Sequence, residues 1–176
     1  MKQNLGKILA IIGGIAIILF ILFYKPYKIK DIEYEKNNYV IDRTGNEYFI
    51  DVLHVGLNEL DIKEVAIVVR PMIGTSDLGS DVHIKAYILG TADQFSIYSN
   101  IGTSKIEAIE ILSHELIHLK QHYDERLVYV NNIIKFEDSI YFTGMLPTYF
   151  ERPWEVEAFE QGEELAVHIR DKLLTK

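Results

Sequence analysis

The alternation of apolar and polar positions divides the chain into an apolar N-terminal segment and a mixed remainder. No charged residue occurs over 8–24, a run about as long as the roughly 17 to 25 residues that a helix needs to cross a bilayer. Because apolar residues occupy every face of this run, it predicts a membrane-spanning helix rather than a soluble one. We therefore expect a tail over 1–7, an anchor over 8–24, a linker over 25–37 and a folded domain over 38–176.

The first half of the domain shows patterns that are typical of strands. Tyr39–Asp42 and Glu47–Ile50 flank the turn residues Thr44, Gly45 and Asn46, and this arrangement predicts a hairpin. Val65–Val69 is a β-branched apolar run, which indicates a buried strand that ends at Pro71. A loop over 72–80 and two further strands follow, over 82–89 and 94–99.

The second half begins with a strong helical pattern. Ser104 with Glu107 three residues later forms a capping box, and apolar residues then recur at spacings of three and four. They are Ile106, Ile109, Leu112, Leu116 and Leu119. Three short strands are predicted next, over 127–130, 133–136 and 140–142. Pro153 suits the first position of a second helix that reaches Leu174. The pattern predicts an α+β domain with a small mixed or antiparallel sheet.

Inside the first predicted helix lies an H-E-x-x-H motif, His114-Glu115-Leu116-Ile117-His118. Residues four apart share one face of a helix, so both imidazoles can bind one metal ion. Glu115 is rotated away from the metal but remains near enough to accept a proton from a water that the ion acidifies. The motif predicts a hydrolytic zinc site with Glu115 as the general base.

On these residues the chain resembles the zincin superfamily, and within it the glutamate-zincins (gluzincins). In that group the third zinc ligand is a Glu on a later helix, often in an E-x-x-A setting. Glu155-Val156-Glu157-Ala158 matches this setting 37 residues after His118. The resemblance implies a zincin-like fold in which His114, His118 and Glu155 bind Zn²⁺.

The resemblance is partial. Many gluzincins place Asp or Asn four residues after the third ligand, where this chain has Phe159. Zincins also hold an extended peptide against a strand at the sheet edge. Here either Ala86–Leu89 or Phe95–Tyr98 can take that role, and the sequence does not choose between them.

Other residues are candidates for contacts to a ligand residue or to substrate. Glu157 is the alternative third ligand, although it lies on nearly the opposite helix face from Glu155. His122 lies one turn beyond His118, where a helix-end His also complements the helix dipole. Tyr149 is a candidate donor to a developing oxyanion.

The charge and the cysteine content of the chain exclude some classes of binding partner and metal ligand. Residues 1–30 contain five of the 18 Lys and Arg residues and none of the 26 Asp and Glu residues, so the remainder carries a formal charge of −13. Such an acidic domain lacks the basic stripe that nucleic-acid binding requires. The absence of Cys excludes thiolate ligands.

The sequence therefore predicts a single-pass membrane protein with a zinc peptidase domain that acts on peptide or protein substrates. The lysines of the short N-terminal tail favour a domain on the extracytoplasmic side. The alternative is a catalytically inactive zincin-like domain that binds a partner in a membrane-associated assembly.

Overall fold

The computed structural model describes residues 30–33, 38–72, 86–91, 93–99 and 104–174. The predicted anchor over 8–24 and nearly all of the predicted loop over 72–80 lie outside the described residues. Within the described part, no helix combines the length and apolar character needed to cross a membrane.

One sheet of five strands forms the base of the domain. Its strands are β1 (Lys30–Glu33), β2 (Tyr39–Asp42), β3 (Ala66–Pro71), β4 (Ala86–Thr91) and β5 (Gln94–Ser99), in the spatial order β1-β2-β3-β5-β4. The three central strands are parallel, and β1 and β4 run antiparallel to their neighbours. The mixed sheet agrees with the sequence-based expectation. Strand β1 occupies residues that the sequence assigned to the linker.

Helix α1 (Glu47–Glu59) replaces the second strand of the predicted hairpin. The prediction of a strand over 47–50 is wrong, because the Asn46 side chain caps a helix by accepting a hydrogen bond from the Tyr48 backbone N–H at 3.2 Å. Phe49, Leu53 and Leu57 then share one buried face. Since β2 and β3 are parallel, they require a crossover, and α1 supplies it.

Two long helices, α2 (Lys105–Tyr123) and α3 (Pro153–Leu174), carry the candidate site residues. The predicted cap of α2 is confirmed, because the Ser104 hydroxyl accepts from the Glu107 backbone N–H at 3.2 Å. The helices run antiparallel. Gln121 near the end of α2 contacts Trp154 at the start of α3, and Glu110 pairs with Arg170 at the other end.

The three helices cover one face of the sheet. Alternate residues of β3 and β5 point into this layer, among them Ile67, Val69 and Ile97. They share a single core with Leu116 of α2 and Ile169 of α3. This two-layer arrangement buries the apolar face of α2, which lies beside the H-E-x-x-H motif, and thereby fixes the positions of the two histidines.

A second, smaller sheet follows α2. It is the antiparallel meander β6 (Leu127–Val130), β7 (Ile133–Phe136) and β8 (Ser139–Phe142). Its inner face packs Leu127, Ile134 and Phe136 around Trp154. Two short 3₁₀ turns, Thr143–Met145 and Tyr149–Glu151, lead from the meander into α3. The meander thereby supports the first turn of α3, directly before Glu155.

Candidate metal centre

The fold brings together His114, His118 and Glu155, three side chains from two helices. The Nε2 atoms of the two imidazoles are 3.1 Å apart. Glu155 Oε2 lies 3.4 Å from His114 Nε2 and 3.3 Å from His118 Nε2. Among the described residues, this group of ligand-type side chains can hold a metal ion.

The separations fit a small divalent cation. Zinc bonds of about 2.0 to 2.2 Å in tetrahedral geometry place ligand atoms roughly 3.3 to 3.6 Å apart. The two sides of 3.3 and 3.4 Å that involve Glu155 lie within this range, and the side of 3.1 Å between the two imidazoles is about 0.2 Å shorter. The site offers the two kinds of ligand atom that are common in catalytic zinc sites, imidazole nitrogen and carboxylate oxygen. Three protein ligands leave the fourth coordination position for a reacting molecule.

Glu155 is ionised and oriented toward the two imidazoles. Its burial opposes ionisation, but hydrogen bonds from His114, His118 and Tyr149 hold the pKa of its carboxyl well below the usual range. Burial lowers the pKa of His118, yet the hydrogen bond and negative charge of Glu155 outweigh this effect and leave that pKa raised. The carboxylate supplies the negative charge that favours a cation at this point.

Glu115 stands beside this group and is itself buried. Burial raises the pKa of its carboxyl, and the nearby His118 and His114 counter this effect only in part. Glu115 lines the same cleft as His114. A buried carboxylate with a raised pKa accepts and returns a proton more readily at neutral pH than an exposed one.

Tyr149 also reaches the site. Its hydroxyl donates a hydrogen bond to the Glu155 carboxylate, and the pKa of the phenol is raised by burial and by the charge of Glu155. The phenol therefore stays protonated and remains a donor. Tyr129 on β6 is a second phenol affected by the charge of Glu155. Its residue is 54% exposed, and partial burial together with Glu155 raises the pKa of its hydroxyl to about 12. No motif in the sequence distinguished Tyr129 from the other tyrosines.

Two of the predicted neighbours lie away from the three ligand atoms. Glu157 accepts two hydrogen bonds from the Arg126 guanidinium, at 2.8 and 2.6 Å. His122 is half-buried, and its ring lies 5.6 Å from the ring of Tyr129. Burial lowers the pKa of His122, which favours a neutral imidazole. Neither side chain belongs to the group of three that can hold a metal ion.

Sequence reasoning missed Gln121. This side chain is fully buried, and its amide contacts both His118 and the backbone of Trp154. Its position three residues after His118 puts it on the same helix side, but its partner on α3 is 33 residues away. Only the tertiary structure shows this bridge.

A cleft of about 740 Å³ opens beside the His114 side chain. Its walls include His114 and Glu115, and its apolar lining comes from residues of α2, α3 and the preceding turn. These are Ile111, Phe150, Ala158, Phe159, Ala166 and Val167. The acidic side chains Glu110, Glu160 and Glu163 also line it.

The structure distinguishes the two strands that the sequence offered for an extended peptide. Phe95–Tyr98 belongs to β5, which lies between β3 and β4. Ala86–Leu89 belongs to β4, which pairs with β5 alone among the described strands. Ala86 also lines the cleft, so β4 is the strand edge nearest the site.

Comparison of the chain with protein-family models, curated proteins and solved structures gave no significant match.

Proposed function

We propose that the protein is a zinc-dependent peptidase whose metal is held by His114, His118 and Glu155. The observation that carries this proposal is the near-equilateral triangle of ligand atoms, with sides of 3.1 to 3.4 Å, directly beside the buried Glu115. The same donor set occurs at non-haem iron centres. A buried general base next to the open position favours hydrolysis instead.

When bound, zinc supplies Lewis acidity that acidifies a water and polarises the scissile carbonyl. Glu115 accepts the proton of the attacking water and passes it to the leaving amine nitrogen. Tyr149 stays protonated, and its one hydroxyl proton, which it donates to Glu155 in this structure, would turn to the carbonyl oxygen as negative charge develops there. His114, His118 and Glu155 would hold the metal, and His114 among them lines the cleft.

The cleft supports a substrate with an apolar side chain next to the scissile bond. Ile111, Phe159 and Val167 form apolar walls beside His114 and Glu115, and such walls gain about 25 cal/mol for each Å² of apolar surface that they remove from water. The β4 edge offers backbone hydrogen bonds to an extended chain. We therefore expect peptides in extended conformation to be the substrates.

Membrane anchoring through residues 8–24 is part of the proposal, and it is supported by the length and the uncharged, apolar composition of that run. An anchor joined to the domain through the predicted linker over 25–37 would restrict substrates to those that come near the bilayer.

The test uses the full chain in detergent micelles, reconstituted with zinc and incubated with a peptide library. Wild type is expected to cleave, and Glu115→Gln is expected to keep zinc and fold but lose cleavage by about 10² to 10⁴-fold. Glu164→Gln, an exposed acid outside the cleft lining, is the matched control. Zinc binding without cleavage in wild type would instead indicate the non-catalytic binding domain.

A further inference from the structure

Gln121 is the one buried side chain that links the two ligand-bearing helices through both of its amide atoms among the described residues. Its Oε1 lies 2.9 Å from His118 Nδ1, and its Nε2 donates to the Trp154 carbonyl oxygen at 2.9 Å. The side chain has no exposed surface. An unpaired amide buried at this depth is destabilising, so the two hydrogen bonds hold the Gln121 side chain in one position.

These two bonds fix the orientation of the amide. If the amide were rotated by half a turn, its oxygen would face the Trp154 carbonyl oxygen, and two acceptors would be opposed. The amide oxygen therefore faces His118. Since that oxygen can only accept, His118 Nδ1 carries a proton, and the neutral imidazole then has its lone pair on Nε2. This is the tautomer that the proposed metal centre requires.

The second bond reaches the helix that carries the third ligand. Trp154 directly precedes Glu155, and its ring is held by Phe136 and Tyr141 of the meander at centroid distances of 6.1 and 5.3 Å. Gln121 thereby ties the start of α3 to the end of α2. One amide sets both the His118 tautomer and the spacing between His118 and Glu155.

The other imidazole is oriented differently. His114 Nδ1 is buried and has no hydrogen-bond partner within the described residues. The ring of Phe159 packs on it with centroids 4.6 Å apart. Metal-binding histidines usually donate to a carboxylate, a backbone carbonyl or water. In this site, a hydrogen bond to a neutral amide orients His118, and packing against an aromatic ring orients His114.

We infer that Gln121 is the positioning residue of the metal centre, and that it acts without adding negative charge around the histidines. This inference rests on the proposed metal centre. It assigns to one hydrogen-bonded amide the selection of the His118 tautomer and the docking of Glu155. Loss of such a partner typically lowers metal affinity by about 10 to 100-fold.

The test measures zinc affinity of the full chain in detergent micelles by competition with a chromophoric chelator. Gln121→Met keeps the size of the side chain and removes both hydrogen bonds, and Gln121→Glu keeps the acceptor for His118 alone. Ser113→Ala is the matched control, because Ser113 is buried on the same helix and its hydroxyl has no partner among the described residues. Thermal unfolding of each metal-free variant reports packing separately.

Positioning and simple packing predict opposite orders of zinc affinity. Positioning predicts that Gln121→Met binds zinc at least about tenfold more weakly than wild type and that the Ser113 control stays within about threefold. Gln121→Glu, which keeps the His118 bond but loses the Trp154 bond, is expected to lie between the two. If Gln121→Met binds zinc as wild type does, or Gln121→Glu binds no better than Gln121→Met, the inference is overturned. Should Gln121→Met fail to fold, Gln121→Asn takes its place, being too short to span both partners. Zinc binding by wild type keeps the proposed function intact in either case.

Discussion

A close approach of the two ligand-bearing helices at Gly162 gives a prediction that joins packing to metal binding. A Cβ atom added at Gly162 of α3 would lie 3.1 Å from His114 Cα and 3.3 Å from His114 N, both backbone atoms of α2. Ordinary contact of a Cβ atom begins at about 3.4 Å. Gly162→Ala therefore requires the helices to separate by about 0.3 Å at this point.

This displacement has a small effect on the free energy of unfolding, but it is large compared with the variation that metal–ligand distances allow. Overpacking of this kind costs about 1 to 3 kcal/mol, and replacing Gly by Ala within a helix recovers about 1 kcal/mol. We expect a net loss of up to about 2 kcal/mol in the free energy of unfolding. Metal–ligand distances tolerate only about 0.2 Å, so a shift of α3 that carries Glu155 away from the histidines should weaken zinc binding by about tenfold or more.

The assay is zinc affinity by chelator competition, together with denaturant unfolding of the metal-free protein. Gly144→Ala is the matched control, because a Cβ atom there meets no atom within 4 Å among the described residues. It should leave zinc affinity unchanged. Wild-type zinc affinity in Gly162→Ala would refute the reasoning, since it would show that the helix separation does not set the ligand geometry.

Three further predictions concern single residues. Glu155→Gln should weaken zinc binding by at least tenfold. Glu157→Gln should leave zinc binding unchanged, because the Glu157 carboxylate pairs with Arg126. Equal effects of the two substitutions in zinc titrations would refute the ligand assignment. Leu116→Ala, at a fully buried position, should lower the free energy of unfolding by about 2 to 5 kcal/mol in a denaturant titration, and a loss below 1 kcal/mol would contradict its place in the core. Val167→Arg should place a charge in the cleft and reduce peptide cleavage with zinc affinity retained, whereas unchanged cleavage would mean that substrates bind elsewhere.

Features set by local sequence were predicted well. The helix around the H-E-x-x-H motif has a capping residue and a long apolar period, so both its start and its buried face follow from residues close in sequence. The meander follows from short apolar runs separated by turn residues such as Asn131 and Asn132. Glu155 was reached only through a resemblance, and the structure places it 3.3 Å from His118 Nε2.

Two features of the structure could not be predicted from short stretches of sequence. Glu47–Ile50 contains aromatic and β-branched residues and resembles a strand over four positions, while the helical period of Phe49, Leu53 and Leu57 becomes visible only over a longer window. The role of Gln121 depends on Trp154, which is distant in sequence. Contacts of this kind arise when α2 and α3 pack, so no pattern within either helix predicts them.

The central claim is that His114, His118 and Glu155 form a zinc centre, and the most direct measurement is anomalous diffraction at the zinc edge from crystals of the zinc-loaded protein. The predicted result is one peak bonded to His114 Nε2, His118 Nε2 and the Glu155 carboxylate at about 2.0 to 2.2 Å. A fully loaded protein with no peak between these three side chains, or with its zinc bound elsewhere, would contradict it.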